Sequence, residues 1–190
     1  MQPFISIILS GGQSRRMGQD KALLALGETT LIDCQYQRLQ QLGAPVWISG
    51  DYPNYPCIGD QSPASGPLAG IGSAMREFRL QAQALLVIAV DMPLLTAKVL
   101  QQFLALTHQH QQCIYLQQAI FPIWLPLSDG TLRTTYECEQ SGHFALKPWL
   151  NKLNAKVIQW AEPMALTNTN TPEQWQQAIE RLHRETSYES

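Results

Sequence analysis

Apolar residues in this chain fall in short unbroken runs that alternate with stretches of helical period, the pattern of an α/β protein. Phe4–Leu9 (FISIIL) reads as a buried strand. Leu31–Leu42 carries apolar residues at Leu31, Ile32, Leu39 and Leu42, which predicts a helix that Gly43 stops. PVWISG then reads as a second strand and YPCI as a short one, and Leu68–Phe78 as a helix. Ala84–Val90 (ALLVIAV) is the strongest strand, seven apolar residues without polar alternation. Such a run suits a central parallel strand covered on both faces. Thr96–His108 predicts a helix with Leu100, Phe103, Leu104 and Leu106 as its stripe. CIYLQ and FPIWL are two more strands, Ser128–Gln140 and Phe144–Leu153 helices, and KVIQW an edge strand. The last helix opens in NTPEQWQQAIERL, where Thr171 caps it, Pro172 suits its first turn and Gln174 completes a T-x-x-Q box.

Composition changes this picture at few points. The 190 residues suit one domain, with no internal repeat and no low-complexity linker. Thirteen Lys and Arg face fifteen Asp and Glu, a net charge of −2. No general basic field exists for nucleic acid, so any attraction for phosphate is local. Cys34, Cys57, Cys113 and Cys138 form no C-x-x-C pair, and no secretory signal is recognisable. They read as reduced thiols of a cytoplasmic chain. FISIIL is too short to span a membrane, so no membrane partner is expected. His108 and His110 have no matching Cys/His pair and read as a solvated helix end or loop rather than metal ligands.

Ligands of open α/β sheets bind beyond the carboxyl ends of the strands, and three unusual segments follow strands here. The first lies in Ile8–Leu24, ILSGGQSRRMGQDKALL. It is not a Walker A loop, because Gln19 follows Gly18 where Lys is needed, nor G-x-G-x-x-G, because Gly11 and Gly12 are adjacent. Its glycines still let backbone N–H groups approach an anion, with Arg15, Arg16 and Lys21 supplying charge. The plainer reading is a turn with solvated basic residues. The second segment is DMP, directly after the buried run. A carboxylate at Asp91 is costly there unless it meets a cation or strong donors, which suits a Mg²⁺ ligand. It could equally start a turn before Pro93. The third, GDQSPASGPLAGIGSAM, reads as a proline-rich turn into a helix capped by Ser65 or a residue before it. Gly66 and Gly70 permit close approach of a ligand, and Asp60 offers a second carboxylate.

Taken together and in this order, LSGGQSRRMGQDKALL, SGPLAGI, DMPLL and TNTNTPE resemble the molybdenum cofactor guanylyltransferases, from Ile8 to about Glu173. The first motif is shared with a wider nucleotidyltransferase superfamily. Gly11-Gly12, Asp20 before Lys21, and the Asn-Thr-Asn-Thr-Pro segment are the discriminating parts. The resemblance implies a Rossmann-like three-layer α/β/α nucleotidyltransferase fold with a mostly parallel central sheet. It also implies one domain over 1–190, with a nucleotide half at about 1–95 and a pterin half at about 96–190. The implied reaction transfers GMP from GTP to the terminal phosphate of molybdopterin and releases pyrophosphate, with Mg²⁺ as cofactor.

Position by position, the resemblance puts Leu9, Ser10, Gly11 and Gly12 around guanine and ribose, and Lys21 with Arg16 on the triphosphate. Asp60 and Asp91 bind nucleotide, Asp91 also holding Mg²⁺, so that Arg16, Lys21 and Asp91 are the catalytic group. Asn168 and Asn170 lie toward the pterin, although each also reads as an ordinary turn or pre-cap residue. The acceptor oxygen is already anionic, so charge neutralisation and in-line positioning are needed and a general base is not. Transient contact with molybdenum insertase and molybdoenzyme chaperones is also implied. The chain departs from the family at Phe121-Pro122, where His-Pro is common, near His143 and Phe144, where an arginine is missing, and near Gly50, where an asparagine is replaced. Alternatives are CMP transfer to molybdopterin, nucleotide transfer to a sugar phosphate, and a non-catalytic GTP-binding adaptor. Titration with GTP, CTP, UTP and ATP in Mg²⁺ is expected to show GTP binding tightest; preference for CTP points to the cytidylyl alternative.

Overall fold

The apolar runs become strands of one seven-stranded sheet, in a computed structural model that describes residues 3–10, 20–59, 66–107 and 111–188. The first half holds β1 (Phe4–Leu9), a small hairpin of β2 (Ala25–Leu26) and β3 (Thr29–Thr30), and α1 (Leu31–Gln40). It continues through β4 (Val46–Ser49), β5 (Cys57–Ile58), α2 (Pro67–Phe78) and β6 (Ala84–Ala89). The second half holds α3 (Ala97–Thr107), β7 (Ile114–Leu116), β8 (Ala119–Pro126) and α4 (Asp129–Gln140). Last come α5 (Leu146–Lys152), β9 (Lys156–Ile158) and α6 (Pro172–Tyr188).

The strand order is β5-β4-β1-β6-β8-β7-β9. β8 runs antiparallel to both neighbours, β6 and β7, and every other pairing in this sheet is parallel. From β1 the chain moves outward through α1 to β4 and β5, and α2 then carries it back across to β6. Right-handed crossovers running in opposite directions put their helices on opposite faces. Accordingly α1 packs with α3 and α2 packs with α4, giving the three layers expected. The strand order reverses between β1 and β6.

Register makes this reversal useful. β1 pairs with β6 from Phe4↔Ala84 to Leu9↔Ala89, and with β4 up to Leu9↔Ser49. All three strands therefore end at one level, and Ser10, Gly50 and Asp91 leave the sheet close to the same edge. Leu85, Leu86, Val87 and Ile88 of β6 are fully buried at 0% exposure. The strand is central as expected, though parallel to β1 alone, with β8 antiparallel on its other side.

Several expected elements have different bounds. FPIWL extends into the longer β8, which turns back from β7 at Gln117-Gln118, and KVIQW contributes only β9, at the sheet edge as expected. The β2–β3 hairpin turns at Gly27 and Glu28, with Gly27 at φ 65°, in the left-handed region that suits glycine. Gly66 is the N-cap of α2 and offers no side-chain hydrogen bond, and Ser65 lies outside the described residues.

α1 does more than cover the sheet. Thr30 and Asp33 close a capping box at its start, and Gly43 turns the chain away at φ 74°. Its inward polar residues reach the loop after β6. The Gln35 amide donates to the Met92 carbonyl at 2.7 Å, and Arg38 donates to the carbonyls of Pro93 at 2.8 Å and Leu95 at 3.3 Å. Buried carbonyls without donors are costly, so Arg38→Ala is expected to lower stability by about 1–3 kcal/mol, measured as a shift in urea unfolding.

Candidate active site

The crevice is built on the level ends of β1, β4 and β6. Leu9 is buried, and its carbonyl accepts from Val90 N–H at 3.0 Å, which holds the two strand ends together. Ser10 N–H donates to the Ser49 carbonyl at 3.2 Å, tying the start of the glycine-rich loop to β4. Gly50 lies beside it with φ 154°, where a Cβ would come within 2.8 Å of both Ser10 Oγ and the Tyr52 ring. A larger residue at 50 would be strained and would collide. The departure from the family's asparagine there therefore comes with a close-packed tyrosine.

Tyr52 has a second task. Its hydroxyl donates to Asp20 Oδ2 at 2.8 Å, while Asp20 Oδ1 accepts from Ala22 N–H at 3.0 Å. Asp20 thereby caps the short 3₁₀ turn Lys21–Leu23 and sets where the Lys21 side chain leaves it. Burial, with the Asp20 carboxylate adding to it, pushes the Tyr52 hydroxyl up to about 12, so it stays a donor at neutral pH. Tyr52 was not a sequence candidate, because nothing in its neighbourhood links it to a residue 32 positions earlier.

The charged centre is Lys21 with Asp91. Lys21 Nζ stands 3.7 Å from Asp91 Oδ2, and the two side chains are only 15% and 18% exposed. Burial raises the Asp91 carboxyl above its ordinary range, while the Lys21 ammonium and a backbone N–H pull the other way. A carboxylate so placed favours a cation. Among the described residues no group of three or more His, Cys, Asp or Glu could hold a metal. A single carboxylate nevertheless fits Mg²⁺, which is commonly bound by one or two carboxylates together with substrate phosphates.

The TNTNTPE segment closes over this centre from the end of the chain. Thr169 is buried and donates twice to the Asp91 carbonyl, from N–H at 2.9 Å and from Oγ1 at 3.3 Å. Asn170 Oδ1 accepts from Lys21 Nζ at 2.7 Å. Gln174 fixes the segment in turn, accepting from Asn170 N–H at 2.7 Å and Thr171 N–H at 3.2 Å, while Gln174 N–H donates to Thr171 Oγ1 at 3.3 Å. The expected capping box is thus present. Asn168 is half-buried, and its side chain has no hydrogen-bond partner among the described residues.

Of the sequence candidates, Leu9, Ser10, Lys21, Asp91 and Asn170 therefore gather at one edge, with Asn168 in the segment that crosses it. Gly11, Gly12, Arg16 and Asp60 lie outside the described residues. Phe121 is buried in the core near the end of β6, an apolar ring at the position where the family commonly carries histidine. A cleft of about 520 Å³, lined by Gly72, Met75, Arg76, Arg133 and Tyr136 among others, lies between α2 and α4, apart from Asp91.

A doubly wound sheet with this charged switch point has the fold of the nucleotidyltransferases. Molybdopterin-guanine dinucleotide biosynthesis protein A from Archaeoglobus fulgidus superposes with a TM-score of 0.79 at 20% identity, covering 95% of this chain and 99% of that one. Residues 6–163 match the MobA-like NTP transferase domain, and the chain belongs to that family. It is 35% identical over 184 residues to the molybdenum cofactor guanylyltransferase of Xanthomonas euvesicatoria pv. vesicatoria, with 94% of this chain and 95% of the relative covered. The corresponding enzyme of Shewanella loihica is 30% identical over 199 residues, with 96% and 99% covered.

The Asp91 environment sets a stability test. A carboxyl whose folded pKa lies above the unfolded value of 3.8 holds its proton more tightly in the folded state. That advantage is complete below 3.8 and is lost as pH rises through the raised folded value. At pH 7 the ionised group therefore detracts from stability. Thermal melts of Asp91→Asn are expected to match or exceed those of the native chain at pH 7, with the difference closing in acid below about pH 4.

Proposed function

We propose that the chain transfers GMP from GTP to the terminal phosphate of molybdopterin, releasing pyrophosphate and forming the guanine dinucleotide form of the molybdenum cofactor. The observation that carries this reading is the Lys21–Asp91 pair held at the β1/β6 switch point, in a chain whose relatives are named molybdenum cofactor guanylyltransferases. Leu9 and Ser10, with Gly11 and Gly12, form the base and ribose side. Lys21, with Arg16, takes the triphosphate, and Asp60 belongs to the same nucleotide half. The family resemblance puts Asn168 and Asn170 toward the acceptor. The cytoplasm as location and molybdenum insertase and molybdoenzyme chaperones as transient partners belong to the same reading.

In the reaction an anionic oxygen of the acceptor phosphate attacks the α-phosphorus of GTP. The bond from that phosphorus to the oxygen bridging toward the β-phosphate breaks, and pyrophosphate leaves with the electron pair. No proton has to be removed from the nucleophile, so the reaction needs charge neutralisation and positioning rather than a general base. The Lys21 ammonium would answer charge growing on the departing pyrophosphate, and its low exposure would strengthen that interaction over its value in water. Asp91 would hold Mg²⁺, whose contribution when bound is to neutralise phosphate charge. Thr169 keeps the Asp91 backbone in place from outside the nucleotide half.

Pyrophosphate release on mixing the protein with molybdopterin and Mg·GTP tests the proposal. Lys21→Ala and Asp91→Ala are each expected to reduce turnover about 10²-fold or more while leaving the far-UV spectrum unchanged. GTP binding without pyrophosphate release would instead identify a nucleotide-binding adaptor.

A further inference from the structure

We infer that Asn170 is a positioning residue for the nucleoside triphosphate, acting through Lys21 before any acceptor is bound. The inference rests on the reading of the crevice as a GTP site. The motif's resemblance puts this asparagine on the acceptor side. Its side chain is instead bonded to the cation of the nucleotide side, at 2.7 Å, the shortest contact that Lys21 makes among the described residues.

Lysine carries its charge on a flexible four-carbon stem, so an unheld ammonium samples many positions and loses that freedom when a phosphate binds. Asn170 removes much of the freedom in advance. It is itself fixed, because its N–H is bonded to Gln174 and its neighbour Thr169 is buried against the Asp91 carbonyl. One short segment thus holds the backbone of the carboxylate and the head of the lysine together. The amide suits the task chemically. It accepts from the ammonium without bringing a negative charge toward the phosphates, and it occupies only one of the three ammonium donors.

The test measures Mg·GTP affinity calorimetrically on the full chain with no molybdopterin present, for the native protein, Asn170→Ala, Lys21→Met and the double variant. Asn170→Ala is expected to weaken binding about 5- to 10-fold in the native background and less than about 2-fold in the Lys21→Met background. Asn170→Asp keeps the contact but adds a charge, and is expected to weaken binding by an amount that shrinks as salt is raised. Native affinity in Asn170→Ala, an undiminished loss in the Lys21→Met background, or a salt-independent Asn170→Asp would each overturn the inference while leaving the nucleotide reading intact. Failure of the native chain to bind Mg·GTP would overturn the nucleotide reading and, with it, the inference.

Discussion

The parallel pairing of β1 with β6 is the constraint on which the rest of the site depends. It brings together two segments more than seventy residues apart, Phe4–Leu9 and Ala84–Ala89, and ends them at one level. Ser10 and Asp91 then leave the sheet side by side, at the point where the strand order reverses and no crossover covers the edge. At this edge the Lys21 and Asp91 side chains are largely shielded, at 15% and 18% exposure. In such surroundings an ionised carboxylate is expensive and an ammonium nearby is worth more than it would be in water. The sheet sets the electrostatic terms, and the loops answer them.

Those answers come from three directions, through residues that need touch no substrate. Tyr52 and Asp20 fix the turn carrying Lys21, and the Tyr52 ring occupies space that a side chain at Gly50 would take. Gln35 and Arg38, from α1, hold the carbonyls that follow Asp91. Thr169 holds the carbonyl of Asp91 itself. The geometry of the Lys21–Asp91 pair is therefore held by hydrogen bonds from three separate segments.

Much of this was legible in the amino-acid sequence, for identifiable reasons. Ala84–Val90 is an unbroken apolar run and Phe4–Leu9 one interrupted only by Ser6, which a covered strand of this length satisfies well, and Thr171 with Gln174 spells a cap that needs no tertiary context. Asp91 stood out because it directly follows such a run, and Lys21 because it belongs to the basic, glycine-rich segment that follows one. Strand direction was not legible at FPIWL, since an apolar run carries no sign of which way it points. The β2–β3 hairpin escaped notice because strands of two residues show no period. Gln35 and Arg38 look like members of a polar helix face until α1 is laid against the loop after β6. Tyr52–Asp20 and Asn170–Lys21 are contacts between segments brought together only by the fold. Local pattern has no access to them.

The crossing of the TNTNTPE segment over β6 has a consequence for how the protein is made. Thr169 is added to the growing chain 78 positions after Asp91. At 5–20 residues per second that is an interval of about 4–16 s. During that time β1, β4 and β6 have all been synthesised, whereas the last partners of Asp91 and Lys21 have not. Closing so long a loop is entropically one of the later steps of folding, whether on the ribosome or off it. The sheet can thus precede the site, and a nascent chain holding every strand still lacks the segment that completes its charged centre.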